Sequence, residues 1–159
     1  MIFSDAYVTT GTLYTIGANS RYTIKLGGGP VATNHFTQAE KQIASRVPDT
    51  TSTDTYTVAT MPMDAWVRGI TVTPDYFVAF SAGNYWTLQM EEWNGNTKVG
   101  NIGSLYTQSA QLGLGPITLA SGLQQPIAAN RTVRVVMTKV GAATTFYRPT
   151  FTVNWSVKP

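Results

Sequence analysis

The chain has 159 residues, 12% of them charged and 43% hydrophobic, with a net charge of +3, one His and no Cys. That length suits one domain with a core of its own rather than two. Charge is well below the roughly 25% of an average soluble domain; the lack of Cys excludes a disulfide-stapled scaffold and Cys-based metal or redox chemistry, and a lone His excludes most His-based metal sites.

The basic residues are scattered from Arg21 to Lys158 with no run of like charge, which argues against a nucleic-acid or membrane patch. No apolar stretch approaches the roughly 20 residues that span a bilayer. Met1-Ile-Phe-Ser-Asp5 has neither a basic nor an apolar signal region, so no signal peptide is expected.

Taken in order, residues 5–26 hold short strand-like pieces, with Tyr22, Ile24 and Leu26 alternating against Arg21, Thr23 and Lys25. Gly27-Gly28-Gly29-Pro30 reads as a loop or hinge; a phosphate-binding loop would need Lys-Ser/Thr and a helix after it, and Val31-Ala32 follows Pro30 instead. Thr37-Gln38-Ala39-Glu40 fits a capping box, which predicts one short helix ended by Pro48. Asp49–Asp54 reads as a polar loop without the spacing of a calcium loop.

From Thr55 onward the texture is regular. Tyr56 and Val58 start one inner face; Ile70 and Val72 continue it across 66–73, ended by Pro74-Asp75. Tyr76–Phe80 reads as a short strand. Across Tyr85–Trp93, the side chains of Trp86, Leu88 and Met90 share one face. Asn94-Gly95 is a type I′ hairpin signal, with Thr97–Ile102 as the returning strand. Residues 103–115 read as a long loop, Ile117–Leu119 as a strand and Pro126–Asn130 as a turn. Two strongly alternating runs close the sequence: Val133, Val135 and Met137, then Phe151, Val153, Trp155 and Val157, each on one face. Trp66, Trp86 and Trp155 are assigned to the core. Seven or eight short strands with regular turn signals and no strand–helix alternation predict an all-β, antiparallel, jelly-roll-like β-sandwich over 51–159. Residues 1–50 are expected to be an N-terminal arm or accessory β segment.

Catalytic chemistry finds little support. A hydrolytic triad needs a His, and His35 beside the glycine loop reads as an ordinary surface or packed residue. Glu91 and Glu92 are adjacent on a strand and point to opposite faces, so they cannot act as a carboxylate pair; Glu92 shares its face with Leu88 and Met90 and is expected to leave the core at the strand end. Arg131 and Arg134 also fall on opposite faces, which does not make a nucleic-acid groove. Asn130-Arg131-Thr132 and Asn154-Trp155-Ser156 match glycosylation sequons by chance. The chain reads as a non-enzyme with no cofactor and no metal. What remains is surface contact, for which Tyr and Trp are the enriched residues. The candidates are Tyr7, Tyr14, Tyr76, Tyr85, Trp93, Tyr106 and Tyr147, with Phe146 also placed outward or in a loop.

Three pieces carry a family resemblance: Val67–Pro74 (Val-Arg-Gly-Ile-Thr-Val-Thr-Pro), Ile117–Ala120 followed by Pro126–Asn130, and Val133–Val140 with Pro149–Val157. Over roughly 55–159 the chain resembles the small jelly-roll-like head-decoration (cement) and tail proteins of tailed bacteriophages. The resemblance implies a structural protein on the capsid surface of a virion, made in the host bacterial cytoplasm. It implies a homo-oligomer, with a homotrimer favoured, or contacts with the capsid lattice through an extended arm, bridging neighbouring major capsid subunits. It carries over no site residues. A tail, receptor-binding or carbohydrate-binding module, with an aromatic platform among loops at one end of the sandwich, is the alternative.

Overall fold

The structure is a computed structural model that describes residues 25–26, 29–30 and 40–158. By its contacts the chain divides into Met1–Ala39 and Glu40–Pro159. In the first unit, β1 (Lys25–Leu26) and β2 (Gly29–Pro30) form an antiparallel pair, so half of the expected glycine loop is strand. His35, Thr37, Tyr7 and Tyr14 lie outside the described residues.

The second unit contains nine strands: β3 (Lys41–Arg46), β4 (Asp54–Thr60), β5 (Ala65–Thr73), β6 (Tyr85–Asn94), β7 (Thr97–Thr107), β8 (Ile117–Ala120), β9 (Gln125–Ile127), β10 (Thr132–Val140) and β11 (Thr150–Val157). They make two antiparallel sheets, ordered β4-β10-β6-β7 and β3-β11-β5-β8, with β9 also on β5. The pairing is nested. The chain folds back on itself around the β6–β7 hairpin, so that β5 meets β8 and β9, β4 meets β10, and β3 meets β11. The all-β antiparallel sandwich read from the sequence is the fold that forms.

Alternation builds the core as expected. Trp86, Leu88 and Met90 of β6, Val133, Val135 and Met137 of β10, and Phe151, Val153 and Trp155 of β11 are all buried in one cluster. Apolar faces of two sheets meet because each buries area that water would otherwise cover, at about 25 cal/mol per Å².

Several expectations fail for identifiable reasons. The helix predicted before Pro48 is strand β3. Lys41, Ile43 and Ser45 turn partly inward while Gln42, Ala44 and Arg46 are exposed, and all six pair with β11. The capping-box signal is local, and a ladder of backbone bonds to a central strand overrides it. β3 also places residues 41–46 in the sandwich sheet; the sequence assigns them to an N-terminal arm or accessory β segment. Trp66 is half-buried on the outer face, with the Lys158 ammonium 5.3 Å from its ring centroid. Its strand carries a bulge at Arg68, where Asn154 pairs with Gly69 and Trp155 with Val67. The extra residue inverts the parity, so Ala65 and Val67 face inward before it and Ile70 and Val72 after it.

Strand β7 extends through 103–107, where a loop is expected, and Gln125–Ile127 pairs with β5 instead of turning. Tyr76–Phe80 contributes a single bridge, Val78 to Leu112. The hairpin is where the Asn-Gly pair puts it, but its two loop residues are Gly95 and Asn96. Only Gly95 has positive φ (58°), the mark of a II′ turn and not of I′.

Candidate contact surface

Nested pairing sends four connections to one end of the sandwich: residues 47–53, 74–84, 108–116 and 141–149. Long connections at a sheet end leave backbone groups to satisfy, and here the loops satisfy one another. Thr50 and Phe146 exchange both backbone bonds (3.0 and 2.9 Å), and Val78 and Leu112 do the same (3.1 and 3.0 Å). Asp75 N donates to Tyr147 O at 3.1 Å.

Buried Gln108 pins two of the loops. Its Oε1 accepts from Trp86 N, and its Nε2 donates to the carbonyls of Val78, Ala79 and Ala110 at 3.0–3.2 Å. Beneath them Phe146, expected at the surface, is fully buried and packs edge-on against Trp86 with centroids 6.0 Å apart. Trp86 Nε1 in turn donates to Thr144 O at 2.8 Å. At Gly141 (φ 61°), a Cβ would collide with the Gly83 carbonyl oxygen, so only glycine allows this close crossing of two loops.

The top of this end is apolar and open. Tyr76 is 61% exposed and Tyr147 40%, with Phe77, Phe80 and Leu114 also exposed. Tyr76 stands edge-on to Tyr147 (5.6 Å, 76°) and to Phe77 (6.0 Å, 72°). Charged groups flank the rings. Asp75 Oδ2 accepts from the Arg46 guanidinium and faces Arg148 Nε at 3.3 Å; Arg148 N donates to Asp49 Oδ1 at 3.1 Å.

Of the seven aromatic candidates, the structure brings Tyr76 and Tyr147 together from positions 71 residues apart. Tyr85 is half-buried at the start of β6, its ring 6.4 Å from Phe80. Trp93 is at the opposite end and is engaged with its own sheet: Nε1 donates to Glu91 Oε2 at 2.9 Å, and the Arg134 guanidinium lies 4.5 Å from the ring centroid. Tyr106 is half-buried on β7, and burial raises the pKa of its hydroxyl. Tyr7 and Tyr14 lie outside the described residues.

A second apolar exposure lies along β7, the outer strand of its sheet. Two irregularities break its pairing with β6. Val99 has no partner between Lys98 and Gly100, and residues 103–105 stand where β6 offers Gln89 alone. The exposed side chains of Val99 (47%) and Leu105 (54%) come from these two bulges. Bulges re-aim side chains and roughen an edge against indiscriminate strand pairing. Sequence reading missed both, because a bulge leaves no mark except a lapse in alternation.

The carboxylates are occupied structurally. Glu92 does not leave the core as expected; it stays buried and pairs with Arg131 at 2.5 Å. Glu91, on the other face, is also buried and pairs with Lys98. Asp64 Oδ1 accepts from Ala129 N, and Asp54 Oδ1 from Thr55 N. Among the described residues no group of three or more His, Asp or Glu is placed to hold a metal ion, and no helix is long and apolar enough to cross a membrane.

No family model matches the chain, and no curated protein matches it. Among solved structures, a chain of the cyanophage Pam1 capsid asymmetric unit is similar at 20% identity, over 91% of this chain and 98% of that one, with a TM-score of 0.48. Chains from infectious bursal disease virus are similar at 15% identity for the Gx strain (86% of this chain, 41% of that one, TM-score 0.30). For the Gt strain the identity is 16% (76% and 36%, TM-score 0.24).

Proposed function

We propose that this chain is a structural virion protein without catalytic activity, and more specifically a decoration (cement) protein that docks on a phage head and bridges neighbouring capsid subunits. The nested strand pairing fits a jelly roll. The observation that carries the reading is the β7 flank. An eleven-residue outer strand presents Val99 and Leu105 at its two bulges, in a chain of which only 12% is charged. Exposed apolar side chains held on a rigid strand are how a protein contact is prepared, since burying them on a partner excludes water at little ordering cost. A capsid lattice repeats that contact many times, so a weak individual interface suffices. The trimer and the contribution of the N-terminal segment belong to the same proposal.

Two measurements test it. Light scattering on the isolated chain is expected to give a mass near three times 17.2 kDa; a monomer removes the trimer. Co-sedimentation with virion shells is expected to fall strongly for Val99→Asp with Leu105→Asp, and for deletion of residues 1–30, with the sandwich still folded. Unchanged sedimentation of both variants sinks the docking proposal.

The loop end favours a second reading, a receptor- or carbohydrate-binding role. The specific observation is the pair of exposed tyrosines at the top of mutually fastened loops. The two readings are compatible, since one uses the β7 flank and the other the loop end.

A further inference from the structure

We infer that Tyr76, Tyr147, Asp75 and Arg148 form a binding site for a neutral pyranose sugar; the inference rests on the second reading above. The site is two matched dipeptides. Asp75-Tyr76 and Tyr147-Arg148 come from different loops and meet through Asp75 N to Tyr147 O at 3.1 Å. This places acid beside base (Arg148 Nε to Asp75 Oδ2, 3.3 Å) and ring beside ring (5.6 Å).

Each half supplies what a pyranose needs. One face of a pyranose is a row of C–H groups, and it stacks on an exposed aromatic ring. The two tyrosine rings stand at 76°, so together they form a corner and not a flat platform, and a six-membered ring can lie on one wall with its edge against the other. The rim of a pyranose carries adjacent hydroxyls that each donate and accept. Asp75 Oδ1 and the terminal amino groups of Arg148 have no partner among the described residues, which leaves an acceptor and donors next to the corner. Asp49 and Asp75 balance Arg46 and Arg148, so the site has no net charge to recruit an anionic sugar.

The site is also held in place before any ligand arrives. Residues 146–149 are fastened at both ends, by the Thr50–Phe146 pair and by Val47 N to Pro149 O at 3.0 Å, over the buried Phe146 ring. Arg148 has φ of 32°, a conformation that L-residues rarely adopt; the bond from its N–H to Asp49 Oδ1 holds it there. Strain that the surroundings maintain is common where a loop is shaped for a ligand, and a preformed site loses less entropy on binding.

The test is saturation-transfer NMR on the full chain with the methyl glycosides of galactose, glucose, mannose and N-acetylglucosamine as probes. At least one is expected to receive saturation, with a Kd on the order of 1 mM. Tyr76→Ala is expected to weaken binding about tenfold or more and Asp75→Asn several-fold, while Tyr76→Phe keeps it, because the ring and not the hydroxyl does the stacking. Tyr76 is 61% exposed, and circular dichroism checks that each variant is folded. Binding that survives Tyr76→Ala unchanged overturns this site and leaves the carbohydrate-binding reading standing. No transfer to any of the four probes overturns both.

Discussion

The two ends of the sandwich solve opposite problems. At the end that holds the β6–β7 hairpin, charge is turned inward: Glu91 and Glu92 are both buried and are neutralised by Lys98 and Arg131. Arg134 donates to Gly95 O at 2.8 Å, and Met61 O accepts from Asn130 N at 2.8 Å, so polar groups there are spent on closing the structure. At the loop end the fastening is done by backbone bonds and Gln108, while aromatic side chains point out and the ion pairs of Asp75 and Arg148 are on the surface. Rings left partly in water add less to folding than buried ones, and exposed ion pairs are worth roughly 0–1 kcal/mol. One end is therefore shaped by stability, whereas the surface of the other is the one that the proposed sugar site uses.

Substitutions sharpen this contrast. The largest effect is expected at the base of the loop end. Phe146→Ala removes a fully buried ring packed on Trp86 and should cost about 4 kcal/mol in chemical denaturation. A loss under about 1 kcal/mol would mean that the loops are not anchored through this ring. At the hairpin end, Arg131→Ala leaves the Glu92 carboxylate buried without its partner. The expected loss is about 3 kcal/mol, at the low end for a broken buried pair because water can reach the vacated site. Arg131→Ala with Glu92→Leu should recover most of that loss, since the uncompensated charge is then gone. Failure to recover would show that the arginine matters for something other than charge balance.

Much of this fold was legible in the sequence, and the losses share a cause. The runs around Trp86, Val133 and Phe151 alternate, Val136 excepted, and they bury the residues that alternation predicts, with Val157 only partly covered. Trp66 shares the parity of Ile70 and Val72, but the bulge at Arg68 inverts that parity and leaves Trp66 on the outer face. The segment 41–46 alternates too, but only weakly, and a capping pattern just before it pointed to helix; its pairing with β11, more than 100 residues away, decided the outcome. Tyr76 and Tyr147 were both candidates, yet nothing local links them. Their meeting depends on which connections the nested pairing sends to the same end. Gln108 carried no signal at all, because a buried amide is recognised only by the carbonyls it serves.

An intermediate effect is expected on the alkaline side. Burial raises the Tyr106 pKa, and burial, partly offset by the Thr50 hydroxyl, also raises that of Tyr56. The folded state therefore holds these protons more tightly than the unfolded state. Their contribution is fully present below the unfolded pKa of about 10 and is lost as pH rises through the higher folded values. Stability should be flat from neutral pH to near that point and then fall, and Tyr106→Phe should soften the fall. A fall that the substitution leaves unchanged would assign the alkaline loss to other groups.

The smallest effect tests whether Trp93 belongs with the contact residues or with the sheet. Its ring lies under the Arg134 guanidinium, and its indole N–H is bound to Glu91. If both contacts serve the fold, a double-mutant cycle of Trp93→Leu and Arg134→Met should return a coupling of about 0.5–1 kcal/mol, the range for a partly exposed cation–ring pair. Added salt should reduce it only partly, because the ring's attraction for the cation acts at contact distance, where ionic screening has little reach. Zero coupling would detach Trp93 from the sheet and return it to the candidate partner surface. The hairpin end would then have an aromatic contact of its own, and the division between a charged, closed end and an aromatic, open one would no longer hold.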